Sequence, residues 1–218
     1  MRLHRDRRQT VGQDDGHVVV AARQRLRLGV EPPPEIGVLQ IGGAVRRGAV
    51  GHDRGLAERL RERPLSGLRV LLVSCGAEEV LQGGIYGFAK RHFPRLDRER
   101  TWMLNLDTVG SPELVLIEGE GPFVMEDYYD RRFRDLVAKA AERVGHPIRR
   151  GLRSRASSDS VIPSRAGYPT AMLSSFDRHK CLSNYHQMTD TPENLDYETV
   201  ARAVVLTEAV ARELADAH

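Results

Sequence analysis

Hydrophobic residues follow two alternating patterns from about residue 55 onward. Short apolar runs rich in Val, Leu and Ile predict buried strands, because both faces of such a strand are covered. Between these runs, apolar residues recur every three or four positions, which predicts amphipathic helices. Strands that alternate with helices predict a three-layer α/β domain. The predicted strands are 68–73, 101–107, 113–118, 147–152 and 168–175, and the predicted helices are 56–62, 80–92, 128–144 and one after residue 196.

Residues 1–53 lack this regularity. Their apolar residues are scattered, and three prolines at 32–34 and two glycines at 42–43 interrupt them. Residues 18–20 and 38–41 could form short strands, but a segment without aromatic side chains buries little surface to offset its ordering entropy. We predict an atypical, Arg-rich extension over residues 1–53, disordered or arising from a misread start, and a catalytic domain over residues 54–218.

The positive charge of the chain lies in its N-terminal part. Residues 1–66 hold 13 Arg, no Lys and 8 acidic residues, whereas the remainder holds 20 basic and 22 acidic residues. Proteins that bind single-stranded nucleic acid combine basic groups with aromatic stacking platforms. All twelve aromatic residues lie from Tyr86 onward, so we predict no nucleic-acid partner.

The sequence also bears on localisation. It contains no apolar run long enough to cross a bilayer, and its basic start is followed by no apolar signal-peptide core. The two cysteines, Cys75 and Cys181, form neither a disulfide framework nor a zinc-ribbon spacing. We therefore expect a cytoplasmic protein with reduced thiols and no membrane partner.

Two adjacent carboxylates, Glu78 and Glu79, closely follow the predicted strand 68–73. Open α/β sheets bind ligands at the carboxyl ends of their strands. Neighbouring carboxylates in different environments can divide the work, so that one binds a metal and the other transfers protons. The plainer interpretation places both as solvated acids at the start of the next helix, where the helix dipole favours negative charge. For such a pair alone, the plainer interpretation is the more common one.

Further polar residues stand at strand ends or in loops. Asp107 ends the strand 101–107, Asp159 lies between two serines, and His186 and Asp190 precede the last helix. Carboxylates and an imidazole at one edge of a sheet could converge on a zinc ion. Each residue also has a structural alternative, since Asp107 and Asp190 suit turns and His186 suits a surface loop.

Taken in this order, the motifs resemble those of metallopeptidase family twenty-eight, the zinc exopeptidases that include aminopeptidase Y, aminopeptidase S and glutamate carboxypeptidase. The resemblance extends from about residue 55 to residue 214 and rests on the Glu-Glu, Asn-Leu-Asp and Tyr-His-x-x-x-Asp motifs. It implies an α/β/α sandwich with a mixed, mainly parallel sheet that lacks part of its N-terminal region. It also implies two zinc ions and a peptide or small amide substrate.

The resemblance assigns a role to each candidate residue. Glu78 would be the general base that takes a proton from water, and Tyr185 would donate a hydrogen bond to the oxyanion. The remaining candidates would bind or surround the metal: Glu79, Asp107 and His186 as ligands, with Asp159 and Asp190 orienting those ligands or lining the substrate pocket.

Two ligands that this family supplies upstream of the Glu pair are not found at the expected distance, where residues 42–48 contain no carboxylate. His4 and Asp14 occur in the expected order but much farther upstream, and Ser160 stands where the family often has histidine. We predict a zinc-dependent, aminopeptidase-like exopeptidase. The alternatives are a glutaminyl-peptide cyclase-like transferase with a single zinc, and an inactive family remnant.

Overall fold

A mixed β-sheet forms the middle layer of the protein. The computed structural model describes residues 19–21, 35–41, 48–78, 81–121 and 127–217, with side chains from residue 55 onward. Within these ranges eight strands join in the order β1-β3-β2-β4-β8-β5-β6, and β7 pairs with β5. The strands are β1 (Val19–Ala21), β2 (Glu35–Ile41), β3 (Leu68–Ser74), β4 (Thr101–Leu106), β5 (Glu113–Glu120), β6 (Asp127–Tyr128), β7 (Arg149–Ser154) and β8 (Thr170–Phe176).

Helices cover both faces of this sheet. The described helices are α1 (Gly48–Glu62), α2 (Gly83–His92), α3 (Arg131–Arg143), α4 (Val161–Arg165) and α5 (Tyr197–Asp216). Short 3-10 turns occur at Phe93–Arg95, Arg98–Arg100 and Pro192–Asn194. In the ranges given above, none of the helices is both long and apolar enough to cross a membrane.

The two faces are assigned by the alternation of side chains along the strands. Leu72 of β3 and Leu104 of β4 belong to one core cluster, together with residues of α1, α3 and α5. Val73 and Met103, one position away on the same strands, pack with Ile85 of α2 in the opposite cluster. The predicted three-layer α/β/α sandwich with a mixed, mainly parallel sheet is therefore confirmed.

Parallel pairing brings the ends of several strands to one edge. Ile41 of β2 lies in register with Ser74 of β3 and with Leu106 of β4, and Leu106 in turn pairs with Leu173 of β8. All these pairs are parallel, so β2, β3, β4 and β8 point their carboxyl ends in the same direction. Residues that follow β3 and β4 therefore lie close together, as a ligand site in an open α/β sheet requires.

The turn residues at 110–112 predict a hairpin between the strands 101–107 and 113–118, and this prediction is wrong. In the sheet, β8 lies between β4 and β5, parallel to β4 and antiparallel to β5. Both sides of β4 are occupied, by β2 and by β8, so no position remains for β5. The connection through residues 110–112 passes over one strand.

Three predicted helix starts also need correction. The helix predicted over 56–62 begins at Gly48. The helix predicted over 80–92 begins at Gly83, because Leu81 and Gln82 have positive φ angles of 53° and 58°. Helical spacing over 80–92 predicts that Leu81 faces inward, but this residue is 88% exposed. The helix predicted from residue 128 begins at Arg131, after the side chain of Asp130 caps it by accepting a hydrogen bond from the Phe133 N–H at 2.9 Å.

Two described strands fall within residues 1–53. The possible strands at 18–20 and 38–41 correspond to β1 and to the end of β2. β2 lies inside the sheet, between β3 and β4. The domain boundary at residue 53 stays a prediction.

A buried carboxylate joins α1 to α5. Glu208 on α5 forms ion pairs with Arg59 of α1 and with Arg212, whose Nε lies 2.9 Å from the Glu208 carboxylate. Burial alone raises the pKa of Glu208, but the hydrogen bonds and charges of Arg212 and Arg59 outweigh burial and lower that pKa below its usual 4.5.

We expect Glu208→Gln to lower the free energy of unfolding at pH 7 by about 1.5 kcal/mol, since charge-assisted hydrogen bonds are lost. A carboxylate with a lowered pKa in the folded state stabilises the protein above its unfolded pKa, and this contribution disappears as the pH falls through the folded value. The difference in free energy of unfolding between the two proteins, measured with urea, should thus decrease as the pH falls below 4.5. A difference that does not decrease below this pH would contradict the assigned ion pairs.

Candidate active site

A pocket begins at the carboxyl edge of β3 and β4 and continues along one face of β8. It has an empty volume of about 530 Å³, part of which is open to solvent. Three residues predicted from separate motifs, Glu78, Asp107 and Tyr185, line this one pocket. The other lining residues are Thr108, Ile117, Glu120, Ser154, Ala156, Ser157, Ser158, Met172, Ser174, Phe176 and Leu182.

Glu78 lies in a tight turn between β3 and α2. The carbonyl oxygens of Gly76, Ala77 and Glu78 accept hydrogen bonds from the backbone N–H groups of Gly84, Gly83 and Gln82, at 3.0, 3.0 and 2.8 Å. α2 begins five residues after Glu78, so the interpretation of Glu78 as an acid at the helix start does not describe its position. Its neighbour Glu79 lies outside the described residues.

Side-chain hydrogen bonds also connect the Glu78 turn to two serines from a later part of the chain. The side-chain amide of Gln82 donates hydrogen bonds to the carbonyl oxygens of Ser158, at 2.7 Å, and Ser157, at 3.0 Å. Both serines line the pocket. The position of Glu78 therefore depends on contacts with residues nearly 80 positions later in the chain.

Asp107 directly follows β4 and is only 7% exposed. Its backbone N–H donates to the carbonyl oxygen of Leu173 on β8 at 3.0 Å. The next residue, Thr108, has a positive φ of 52° and shares a hydrogen bond of 2.8 Å with the hydroxyl of Ser174. These contacts hold the turn after β4 against β8, so that Asp107 lies at the pocket wall.

Tyr185 and His186 belong to the loop between β8 and α5. Their rings stack with centroids 3.9 Å apart and planes inclined by 23°. Tyr185 lines the pocket, whereas His186, which is exposed, is not among the lining residues. The structure thus places Tyr185 in the same pocket as Glu78 and Asp107, whereas His186 lies next to Tyr185 and outside the pocket lining.

Backbone conformations of positive φ are concentrated next to the candidate residues. Among the described non-glycine residues with positive φ, Ala77 precedes Glu78, Thr108 follows Asp107, and Asn184 and His186 flank Tyr185. Such conformations cost free energy and tend to cluster at functional sites. The three pocket turns therefore share a feature that supports a functional role.

Asp159 and Asp190 do not line the pocket. Asp159 is fully buried and interacts with the thiol of Cys75. The pKa of this thiol is raised mainly by its burial, and further by the charge and the hydrogen bonding of Asp159. That thiol is therefore protonated and unsuited as a nucleophile. The backbone N–H of Asp190 bonds to the carbonyl oxygen of Gln187 at 3.0 Å.

Glu120, at the end of β5, is a lining residue that the sequence patterns did not identify. Its Oε2 atom accepts hydrogen bonds from the hydroxyl of Tyr129 at 2.5 Å, from the hydroxyl of Ser158 at 2.7 Å and from the Ser158 N–H at 3.1 Å. It is 1% exposed. A signal was present, because Glu120 follows an apolar strand and stands between two glycines, where the backbone permits close approach.

The described residues supply only part of a zinc site. Carboxylate oxygen suits zinc, and Asp107 offers it at the pocket wall. In the described ranges no group of three His, Cys, Asp or Glu side chains could hold a metal ion. Glu79, His4 and Asp14 lie outside those ranges, so the complete ligand set stays a prediction.

Comparison with known proteins identifies a family and a shared fold. Residues 54–211 match the sequence profile described as Peptidase family M28. No match was found among curated protein sequences. Similar solved structures include a zinc aminopeptidase from Bacillus subtilis, with a TM-score of 0.66, 19% identity, and coverage of 89% of this chain and 48% of that one.

Two further structures extend the comparison. An aminopeptidase from Aneurinibacillus sp. strain AM-1 has a TM-score of 0.67 at 18% identity, with coverage of 89% of this chain and 46% of that one. A glutaminyl cyclase from Tannerella forsythia has a TM-score of 0.65 at 18% identity, with coverage of 90% and 77%. The chain thus spans about half the length of the aminopeptidases that it matches.

Proposed function

Because the chain belongs to peptidase family M28, we propose that it is a zinc-dependent, aminopeptidase-like exopeptidase that hydrolyses a terminal peptide bond. The observation that supports this proposal most is the convergence of Glu78, Asp107 and Tyr185 on one pocket from three separate chain segments. A peptide or small amide would enter from the open side of this pocket.

Glu78 and Tyr185 would take part directly in the proposed hydrolysis. Zinc, when bound, lowers the pKa of a water molecule to about 7. Glu78 would accept the proton of that water and later pass it to the leaving amine. The hydroxyl of Tyr185 would donate a hydrogen bond to the oxygen on which negative charge develops.

The residues proposed to hold zinc are Glu79, Asp107 and His186. Carboxylate oxygen and imidazole nitrogen are both regular zinc ligands. Asp159, which is buried, and Asp190, in the loop that contains His186, are proposed to orient these ligands.

A glutaminyl cyclase-like transferase is the second candidate. The chain covers 77% of the Tannerella forsythia glutaminyl cyclase but only 48% of the Bacillus subtilis aminopeptidase. In addition, β2 ends at the same sheet edge as β3 and β4, and residues 42–48 that follow it contain no carboxylate. A site with fewer carboxylate ligands fits one zinc ion better than two.

Zinc content and reaction product together separate the candidates. Full-length protein dialysed against trace zinc should contain two zinc ions per chain for an exopeptidase, one for a cyclase and none for an inactive remnant. We expect the double variant Glu79→Ala, His186→Ala to lose at least one zinc ion per chain, measured by atomic emission. A variant with the zinc content of the native protein would contradict the proposed ligands.

The product assay uses two short peptides with the same sequence after the first residue. An exopeptidase releases a free amino acid from a leucine-initiated peptide, whereas a cyclase forms pyroglutamate and ammonia from a glutamine-initiated peptide. Mass spectrometry distinguishes the two products. If neither of these peptides, nor a third one that begins with lysine, changes in the presence of zinc, the enzymatic proposals are both wrong and the chain is a non-catalytic family member.

A further inference from the structure

We propose that the pocket binds a terminal residue with a cationic side chain, lysine or arginine, and that Glu120 determines this specificity by pairing with the cation. The inference rests on the proposed exopeptidase function and adds the substrate class. It follows from the shape of the pocket wall and from the unusual surroundings of the Glu120 carboxylate.

One part of the pocket wall is formed by apolar side chains. Ile117 of β5 and Met172 of β8 pair across the two strands, and Phe176 lies farther along β8 on the same face. These side chains belong to one apolar cluster. An apolar wall of this kind suits the methylene stem of a long side chain.

An irregularity in β5 brings Glu120 to the same pocket. In a regular strand, Ile117 and Glu120 would point to opposite faces because they are three positions apart. The pairing of β5 with β7 shifts register between Ile117 and Glu120, and both side chains line the pocket. Bulges of this type often redirect a side chain next to a binding site.

Among the described residues, the hydrogen-bond donors to the Glu120 carboxylate are all neutral. Its three hydrogen bonds come from the Tyr129 hydroxyl and from the hydroxyl and N–H of Ser158, and all three reach the same oxygen, Oε2. Burial raises the pKa of Glu120 despite these bonds. The second oxygen, Oε1, stands outside this set of bonds and can accept from a ligand.

The contrast with Glu118 shows what Glu120 lacks. Glu118, two residues earlier on β5, forms ion pairs with Arg134 and Arg150. Among the residues that the structure describes, no basic side chain forms an ion pair with Glu120. A buried carboxylate is costly unless a cation accompanies it, and a substrate ammonium or guanidinium group can serve as that cation.

The apolar part of the wall and the Glu120 carboxylate together indicate the ligand class. An aliphatic stem would lie against Ile117 and Met172, and a charged head would reach Glu120. Among amino acid side chains, lysine and arginine combine such a stem with a cationic head. A neutral aliphatic side chain would use the wall but leave the carboxylate without its charge partner.

The test measures binding of lysinamide, norleucinamide and glutaminamide to the full chain at pH 7 by ligand-detected NMR, with and without zinc. Norleucinamide keeps the four-carbon stem of the lysine side chain but lacks its cation, and glutaminamide has a neutral donor. We expect lysinamide to bind about 10- to 100-fold more tightly than either, as one charge-assisted hydrogen bond predicts. Glu120→Gln should remove this preference.

A matched control is available on the same strand. Glu113 lies at the other end of β5, pairs with Arg149 and does not line the pocket, so Glu113→Gln should keep the preference for lysinamide. If native protein binds norleucinamide or glutaminamide as tightly as lysinamide, the proposal is overturned, even if Glu120→Gln does not fold. If lysinamide binds through Glu120 but no peptide is cleaved, the exopeptidase proposal fails and the cation pocket stands.

Discussion

Replacement of Glu78 by glutamine should lower kcat about 10²- to 10⁴-fold, the range expected when a general base is removed. Glutamine keeps the size and hydrogen-bonding shape of the side chain but cannot take up a proton at neutral pH. Glu78 is held by backbone contacts of its turn with α2, so the substitution should leave the fold intact. Release of the terminal amino acid from a short peptide, measured with zinc in excess, gives the rate.

The control for this experiment is Glu99→Gln, which changes an exposed acid in a 3-10 turn away from the pocket. Its kcat and its zinc content should equal those of the native protein. Glu78→Gln should also keep its zinc content, because Glu78 is not among the proposed ligands. A Glu78→Gln protein that retains kcat within about threefold would exclude Glu78 as the general base.

Local patterns predicted those features of the fold that depend on neighbouring residues. Alternation along β3 and β4 sends Leu72 and Leu104 to one core cluster and Val73 and Met103 to the other, because successive side chains of a strand point to opposite faces. The apolar runs therefore predicted the strands, and their alternation with helices predicted the three layers.

Strand pairing depends on residues far apart and could not be predicted in this way. The short connection through residues 110–112 favoured a hairpin, but β8, more than 50 residues later, takes the place beside β4. Similarly, helical spacing placed Leu81 in the core, whereas a positive φ at this residue puts it outside α2. Backbone conformation at such turns is set by tertiary contacts rather than by apolar spacing.

In the candidate site, too, local motifs could be recognised in the sequence, whereas long-range contacts could not. Glu78, Asp107 and Tyr185 could be selected because their motifs combine unusual residues in a definite order, and all three line one pocket. Glu120 was not selected, because its position between two glycines after an apolar strand does not reveal its contacts with Tyr129 and Ser158. Ser158 is 38 positions away, and only the folded chain brings it to the carboxylate.

The second prediction with a large effect concerns the close backbone contact between the turn that contains Glu78 and the start of α2. A Cβ atom at Gly84 would lie 2.2 Å from the carbonyl oxygen of Gly76 and 2.9 Å from its nitrogen. Both are backbone atoms, which cannot move aside as a flexible side chain can. We expect Gly84→Ala to lower the free energy of unfolding by about 3 kcal/mol, the upper part of the range for overpacking, as measured by urea unfolding.

Gly87→Ala is the matched control, because Gly87 lies in the same helix but is exposed. There alanine should stabilise the protein by up to about 1 kcal/mol, as helix propensity predicts. Opposite signs for the two substitutions would assign the loss at Gly84 to its contact with Gly76. Since the hydrogen bond between Gly84 and Gly76 closes the turn that contains Glu78, the folded Gly84→Ala protein should also show a lower kcat. Equal stabilisation by both alanines would mean that the turn does not pack closely against α2, and that Glu78 owes its position to other contacts.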